Sequence, residues 1–341
     1  MTLPFPFAAR WISDAQERDL AAVYGDIKPD LDQVEEQLEA WSRSANPLTA
    51  EVSRYILRKR GKRLRPALVL LTSRLFKAGS EENVFLASLV ELVHTASLIH
   101  DDIVDKADVR RGAESVHSRW GPNITVLLGD HLYIKSIGLS LQSRHDRVIR
   151  LLADVSGRMI EGELDECALG GDLGISEERY LRIIEDKTAV LFSACCRLGA
   201  ILGEATPAEE NDLADYGTNL GMCFQIVDDL LDFTGDEKAL GKPVMSDLGE
   251  GRVTLPLIRA LRSDGRPNRE RIAAFLRRRD LAEKEKDGLL DLLSTSGALD
   301  YTAAKAREFS ERAVALLGRF PESGPRQALA ALARFVLGRD R

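Results

Sequence analysis

The chain has 341 residues, 44% hydrophobic and 30% charged, with a formal net charge of −7. That length supports one large domain or two ordinary ones, and the composition is that of a soluble globular protein. The acidic balance excludes a general nucleic-acid binder, so an anionic substrate has to be held by a local basic cluster or by a metal.

Met1 to Trp11 lacks a basic n-region and a long apolar core, so no secretory signal peptide is expected. No uncharged apolar run reaches the ~18 residues needed to span a bilayer. Apolar residues recur at three- and four-residue spacing almost throughout, while period-2 runs are scarce, which predicts an all-α protein. Residues 1–45 read as an N-terminal helical extension, with Leu31, Val34, Leu38 and Trp41 on one amphipathic helix over 30–42. Pro66 opens a helix that runs to about Phe76. Residues 84–105 are apolar nearly all round, the mark of a buried helix. The pattern continues over 122–142, 147–168, 176–203, 208–234 and 253–263, and from Pro267 onward it becomes charge-rich, as in outer helices. Gly170-Gly171 and the stretch from Gly235 to Gly251 read as loops, the second long, polar and of the kind that forms lids. No linker interrupts the pattern, so residues 1–341 are taken as one domain.

Cys167, Cys195, Cys196 and Cys223 show neither CxxC nor zinc spacing and read as reduced, mostly buried thiols of a cytoplasmic protein.

Asp101-Asp102-Ile103-Val104-Asp105 is nearly repeated as Asp228-Asp229-Leu230-Leu231-Asp232. Each pentad places carboxylates at i and i+4, on one face if helical, and each ends an apolar run. One such pentad is common on a solvated helix; two at the ends of buried helices need a counter-charge. Like charges about 4 Å apart repel by roughly 4 kcal/mol at an effective dielectric of about 20. All-oxygen donors without cysteine or paired histidine point to Mg2+, which keeps several waters and binds substrate phosphates.

Basic residues flank the acids. Arg58 to Arg65 holds six basic residues in eight and leads into a helix start, a setting for an anion, although it is no Walker loop. Arg110 and Arg111 follow the first pentad, Lys187-Thr188 opens an apolar helical segment, and Gln225 precedes Asp228 by about one turn. Lys242 and Arg252 sit in the long loop after the second pentad. His94 lies seven residues before Asp101 and shares its helical face. A substrate carrying diphosphate and bound through Mg2+ fits this set. His100 beside Asp101 raises the alternative of an HD phosphohydrolase, but His117, His131 and His145 lack the acid partners that fold requires.

These motifs resemble the trans-isoprenyl diphosphate synthases, or polyprenyl synthases, over roughly residues 45–341. The likeness rests on Gly61-Lys62-Arg63-Leu64-Arg65-Pro66, on His94 through Asp105, on Asp108 to Gly112, and on Gly129-Asp130. It continues through Lys187-Thr188-Ala189, Phe224 to Asp229, Gly241-Lys242 and Thr254-Leu255-Pro256. The resemblance, nearest to long-chain octaprenyl- and solanesyl-type members, implies a helical bundle of the isoprenoid-synthase type around a central cavity, usually a homodimer. It implies that Asp101, Asp105 and Asp228 hold three Mg2+ ions, supported by Asp102, Asp229 and Asp232. Arg110, Lys187 and Lys242 would bind the allylic diphosphate, and Arg252 is a further substrate-binding candidate. Lys62, Arg65, His94 and Arg111 would bind isopentenyl diphosphate. Thr188 and Gln225 would orient the reacting groups and steady the developing cation. Arg60 for a glycine, Met245-Ser246 in the middle of the loop, and Arg252 for a lysine depart from the family pattern.

The implied activity is repeated condensation of isopentenyl diphosphate with an allylic diphosphate such as farnesyl diphosphate. In the family, bulky residues four or five positions before the first pentad give short products. Here those positions are the small Ser97 and Ala96, and a helical wheel puts Ser97 nearer the acid face. A product longer than geranylgeranyl diphosphate is expected, with Ile137 and Leu141 as the tunnel floor. The alternatives are a short-chain synthase, a terpene cyclase, which binds one diphosphate and has no need of the Lys62, Arg65, His94 and Arg111 set, or a non-catalytic synthase subunit, which would have lost acids. An apolar product of that size is compatible with peripheral membrane contact, for which the sequence offers no segment.

Overall fold

Prolines and capping side chains set where the helices start. In the computed structural model, residues 23–58, 61–79, 81–110, 113–235, 244–263, 266–278 and 282–339 are described. Helix α1 (Lys28–Trp41) buries Val34, Leu38 and Trp41, as their spacing predicts. Helix α2 (Pro47–Leu57) is capped by Asn46, which accepts from the Thr49 N–H. Helix α3 (Leu64–Leu75) begins two residues before Pro66. Helix α4 (Glu81–Val104) is long and apolar enough to cross a membrane, yet 78% of its most apolar stretch is buried inside the protein. It is the core helix, and it packs between α3 and α6.

The first pentad ends α4. After it, β1 (Val109–Arg110) and β2 (Ala113–Glu114) pair antiparallel, a two-residue ribbon that helical periodicity did not anticipate. Helices α5 (Val116–Trp120), α6 (Pro122–Ser140) and α7 (Asp146–Ala168) follow. The segment read as one helix over 176–203 is three pieces: α8 (Glu177–Ile184), a π-helical turn (Glu185–Ala189) and α9 (Val190–Leu202). Helix α10 (Pro207–Thr234) opens with a capping box between Thr206 and Glu209 and ends in the second pentad. The remainder comprises α11 (Ser246–Glu250), α12 (Leu255–Ser263), α13 (Arg266–Arg278), α14 (Glu283–Thr295), α15 (Ala298–Leu317) and α16 (Gly324–Leu337). Helix α10 packs on α9 and α15, and one continuous hydrophobic core runs from Val23 to Val336.

The π turn sits where two other helices approach it closely. A Cβ on Gly162 of α7 would lie 2.6 Å from the Lys187 nitrogen, and one on Gly221 of α10 would lie 2.5 Å from the Ala189 Cα. Two glycines therefore let α7 and α10 close directly on the turn. The extra residue re-aims the chain so that Lys187 and Thr188 both face the same space as the two pentads.

Candidate active site

The ends of α4 and α10 meet across a cavity of about 1280 Å³. Asp101, Asp105, Asp228 and Asp229 line it, together with Lys62, Arg65, His94, Lys187, Thr188, Gln225 and Arg252. Asp102 is fully buried and does not line it. Asp232 is also outside the lining and holds the following loop, accepting from the Ser246 hydroxyl (2.7 Å) and the Asp247 N–H (3.2 Å). Arg110 lies on β1, and Arg111 and Lys242 fall outside the described residues.

The basic run 58–65 divides by direction. Arg58 turns outward to Glu39. Arg63 sits at φ 50° and turns inward to Glu35 (2.6 Å) and the buried Glu91 (2.5 Å). That left-handed residue is what points Lys62 and Arg65 into the cavity on either side of it. The N-terminal part of the chain braces this loop: Glu35 belongs to α1, and the Tyr24 hydroxyl donates to the Lys62 carbonyl at 2.7 Å. Arg65 Nη1 lies 3.0 Å from His94 Nε2. Since arginine only donates, Nε2 accepts and the imidazole carries its proton on Nδ1. Aromatic faces hold the cations in place: Arg65 is 4.7 Å from the Phe192 ring centroid, and Lys62 is 5.2 Å from that of Phe335.

A second cationic group sits nearer the acids. Lys187 Nζ contacts Glu166 (2.5 Å) and Glu163 (2.6 Å) on α7. Burial works against its charge, but those carboxylates hold its pKa above the ordinary lysine value. Arg252 bridges Asp105, Glu166 (3.3 Å), Asp247 (3.3 Å) and Glu250 (2.9 Å). Arg339, just beyond α16, reaches Asp228 Oδ1 at 2.5 Å and the Phe224 carbonyl, and stacks 3.7 Å from the Phe224 centroid. Thus a guanidinium stands on the last acid of the first pentad and another on the first acid of the second. Sequence reasoning missed Glu163, Glu166 and Arg339. The i, i+3 pair of acids facing inward from an otherwise amphipathic helix was a usable signal for the first two; nothing in the spacing marked Arg339.

Among the described residues no three acid, histidine or cysteine side chains converge closely enough to cage one ion. The donor set is all carboxylate oxygen, spread over two helix ends. A divalent cation held there would complete its shell with water and phosphate oxygens, as Mg2+ does. The set therefore fits a phosphate-bound metal, which Asp101, Asp105 and Asp228 would hold. Both oxygens of Asp229 are taken by protein donors, and burial and the neighbouring Asp247 push its pKa up to about 8. The HD alternative fails on placement, since His117, His131 and His145 do not line the cavity.

The apolar side of the cavity is formed by Ser97, Leu98, Tyr133, Met159, Ile160 and Leu164. His100 also lines it, stacked on Tyr133, and Gly129 makes its room: a Cβ there would fall 2.3 Å from His100 Nε2. Ser97 faces the cavity as the helical wheel suggests, whereas Ala96 is fully buried and lies outside the lining. Ile137 and Leu141 are corrected more sharply. They are 37% and 69% exposed and do not line the cavity.

The polyprenyl synthetase family model matches residues 46–293. The chain is 35% identical to octaprenyl diphosphate synthase of Haemophilus influenzae over 314 residues, covering 92% of this chain and 94% of that one. It is 35% identical to the octaprenyl diphosphate synthase of Escherichia coli over 294 residues, 86% and 91% of the two chains. Its fold superposes on a polyprenyl synthase of Caulobacter crescentus, solved with calcium and isoprenyl diphosphate, with a TM-score of 0.90 at 34% identity, covering 94% and 98%.

Proposed function

This chain belongs to the polyprenyl synthetase family, and from that membership we infer that it is a trans-prenyltransferase which adds isopentenyl diphosphate repeatedly to an allylic diphosphate and releases a long-chain polyprenyl diphosphate. The observation that carries the reading is one cavity with two separate cationic groups, the acid ends of two helices and an apolar wall. Two cationic groups suit two diphosphates. A cyclase, with a single diphosphate to hold, would leave the Lys62, Arg65 and His94 group without a ligand. The enzyme uses a divalent metal, which we take to be Mg2+, as three ions held by Asp101, Asp105 and Asp228. The described chain is treated as one catalytic domain.

Held by Asp101, Asp105 and Asp228, the metal would supply positive charge to the diphosphate leaving group. Lys187 and Arg252 add fixed positive charge to the same leaving group. Lys62, Arg65 and His94 hold the diphosphate of isopentenyl diphosphate, which sets its double bond against the allylic carbon. Thr188 and Gln225 face the electron-poor carbon. The apolar wall excludes water that would trap the cation as an alcohol. The double bond attacks, the new carbon–carbon bond forms, and the released diphosphate accepts the proton. The tail lies along Ser97, where no bulky side chain stops it.

A second copy of the chain is assigned to the exposed apolar face of the α6 segment. Leu127, Ile134 and Leu141 recur every seven residues there, each more than 60% exposed. An unpartnered apolar stripe of that kind marks an interface. The four cysteines are free thiols, in keeping with a cytoplasmic setting. The testing experiment incubates purified protein with labelled isopentenyl diphosphate, farnesyl diphosphate and Mg2+, and sizes the dephosphorylated products. Chains longer than geranylgeraniol are expected. Diphosphate release with a hydrocarbon product and no incorporation would establish a cyclase instead.

A further inference from the structure

A chain of hydrogen bonds leads inward from the cavity wall, and the reaction makes no use of its far end. Thr188 Oγ1 donates to Gln225 Oε1 at 2.8 Å. Gln225 Nε2 donates to Asp229 Oδ1 at 2.8 Å. The Tyr180 hydroxyl donates to Asp229 Oδ2 at 2.5 Å. Thr188, Gln225 and Asp229 line the cavity; Tyr180 lies behind them on α8 and is 4% exposed.

A glutamine amide carries an acceptor on one side and two donors on the other, so turning it over reverses the dipole it presents. Thr188 cannot choose between the two orientations, because a hydroxyl both donates and accepts. Asp229 can choose. Its Oδ1 is an acceptor whether or not Oδ2 carries a proton, so Nε2 must face it and Oε1 must lie on the Thr188 side. The choice holds only while Oδ2 is engaged elsewhere and the carboxyl group cannot rotate, and Tyr180 supplies that engagement.

We propose that Tyr180 is a positioning residue for chain elongation: acting through Asp229, it locks the Gln225 amide with its oxygen toward the reacting carbon and its NH2 group away from it. The proposal rests on the prenyltransferase reading. The negative end of a fixed dipole then meets the allylic cation as it forms, a contribution that needs no reorganisation during the reaction. The turned-over amide would present its donors to the same cation. The network also separates the acids by task. Asp229 is committed to Gln225 and Tyr180, which leaves Asp101, Asp105 and Asp228 to the metal.

The test compares wild type, Tyr180→Phe, Gln225→Leu and the double variant in steady-state kinetics, with one protein-only readout. Tyr180→Phe is expected to lower kcat by roughly 10- to 100-fold, the range for removing a group that orients a reacting side chain. KM for both substrates and the half-saturating Mg2+ concentration should stay within about twofold, and in the Gln225→Leu background the same change should cost less than about twofold. An unchanged kcat, an equal loss in both backgrounds, or a loss confined to KM or to Mg2+ affinity overturns the proposal. The second readout is the side-chain amide signal of Gln225 in 15N-glutamine-labelled wild type, identified by its disappearance in Gln225→Leu. Protected, slowly exchanging protons are expected; free exchange overturns the lock even if Tyr180→Phe does not fold. Wild type that makes no polyprenyl product would defeat the functional reading, while the amide signal would still report on the lock.

Discussion

Replacing Arg339 with glutamine tests how the chain's last described helix contributes to the site. The guanidinium is 6% exposed, and its buried Nε makes no hydrogen bond among the described residues. Two effects of the change compete. The first is loss of the ion pair to Asp228, which is 41% exposed. At that exposure the pair is screened and contributes about 0–1 kcal/mol. The second is loss of a charge-assisted hydrogen bond to a bound diphosphate, about 1.5–3 kcal/mol. The substrate effect is larger, and at 1.4 kcal/mol per decade it corresponds to a roughly 10- to 150-fold rise in KM. The affected substrate follows from the aromatic scaffold. Phe224 lies under both Arg339 (3.7 Å) and Arg65 (5.9 Å), so Arg339 belongs with Lys62, Arg65 and His94. Initial rates are measured with each substrate varied at saturating concentration of the other. KM for isopentenyl diphosphate should rise and KM for the allylic substrate should change little. A KM for isopentenyl diphosphate within twofold of wild type, or a larger effect on the allylic substrate, would refute the assignment.

Four further substitutions probe separate parts of the site. Ser97→Phe enters the cavity and should shorten the products on chromatography, whereas Ala96→Phe overpacks α4 and should cost about 1–3 kcal/mol in denaturant midpoint; the opposite pattern would mean the tail runs along the other side of α4. Arg252→Ala leaves Asp105, Glu166, Asp247 and Glu250 without their shared cation. In chelator it should destabilise by about 3 kcal/mol, the low end for a broken buried pair because Arg252 is partly exposed, and Mg2+ should restore part of the loss; equal melting with and without metal would contradict the charge argument. Asp229 has its carboxyl raised to about 8 by burial and Asp247, above its unfolded value of 3.8. The folded state therefore keeps a proton that the unfolded chain releases between those values. Stability from this group is full below about pH 4 and is lost as pH rises to about 8. Asp229→Asn should flatten the pH slope of thermal melting in chelator, and a slope identical to wild type would show that another group titrates.

The helices, the acid pentads and the cationic residues were legible in the chain because each is a local property. Apolar spacing at 3.6 residues, a proline at a helix start and carboxylates at i and i+4 say the same thing in any context. For the same reason His94, two turns before Asp101, could be placed on the face that lines the cavity. Direction was not legible. Within one basic run, Arg63 serves a buried ion pair while Lys62 and Arg65 face the substrate space, and the difference arises from a single left-handed residue and from acids on α1 and α4. The π turn that aims Lys187 and Thr188 depends on how closely α7 and α10 approach at Gly162 and Gly221. Ile137 and Leu141 look like core residues by spacing, yet they are exposed and do not line the cavity, because a segment with more apolar residues than one face can bury leaves the rest exposed. The sequence thus determined which chemistry the chain carries and on which elements. Only the tertiary structure decided that Asp101, Asp105 and Asp228 line the cavity while the carboxylates of Asp229 and Asp232 bond to Gln225, Tyr180 and the loop after α10. Those assignments depend on partners far away in sequence, whose distances no local pattern encodes.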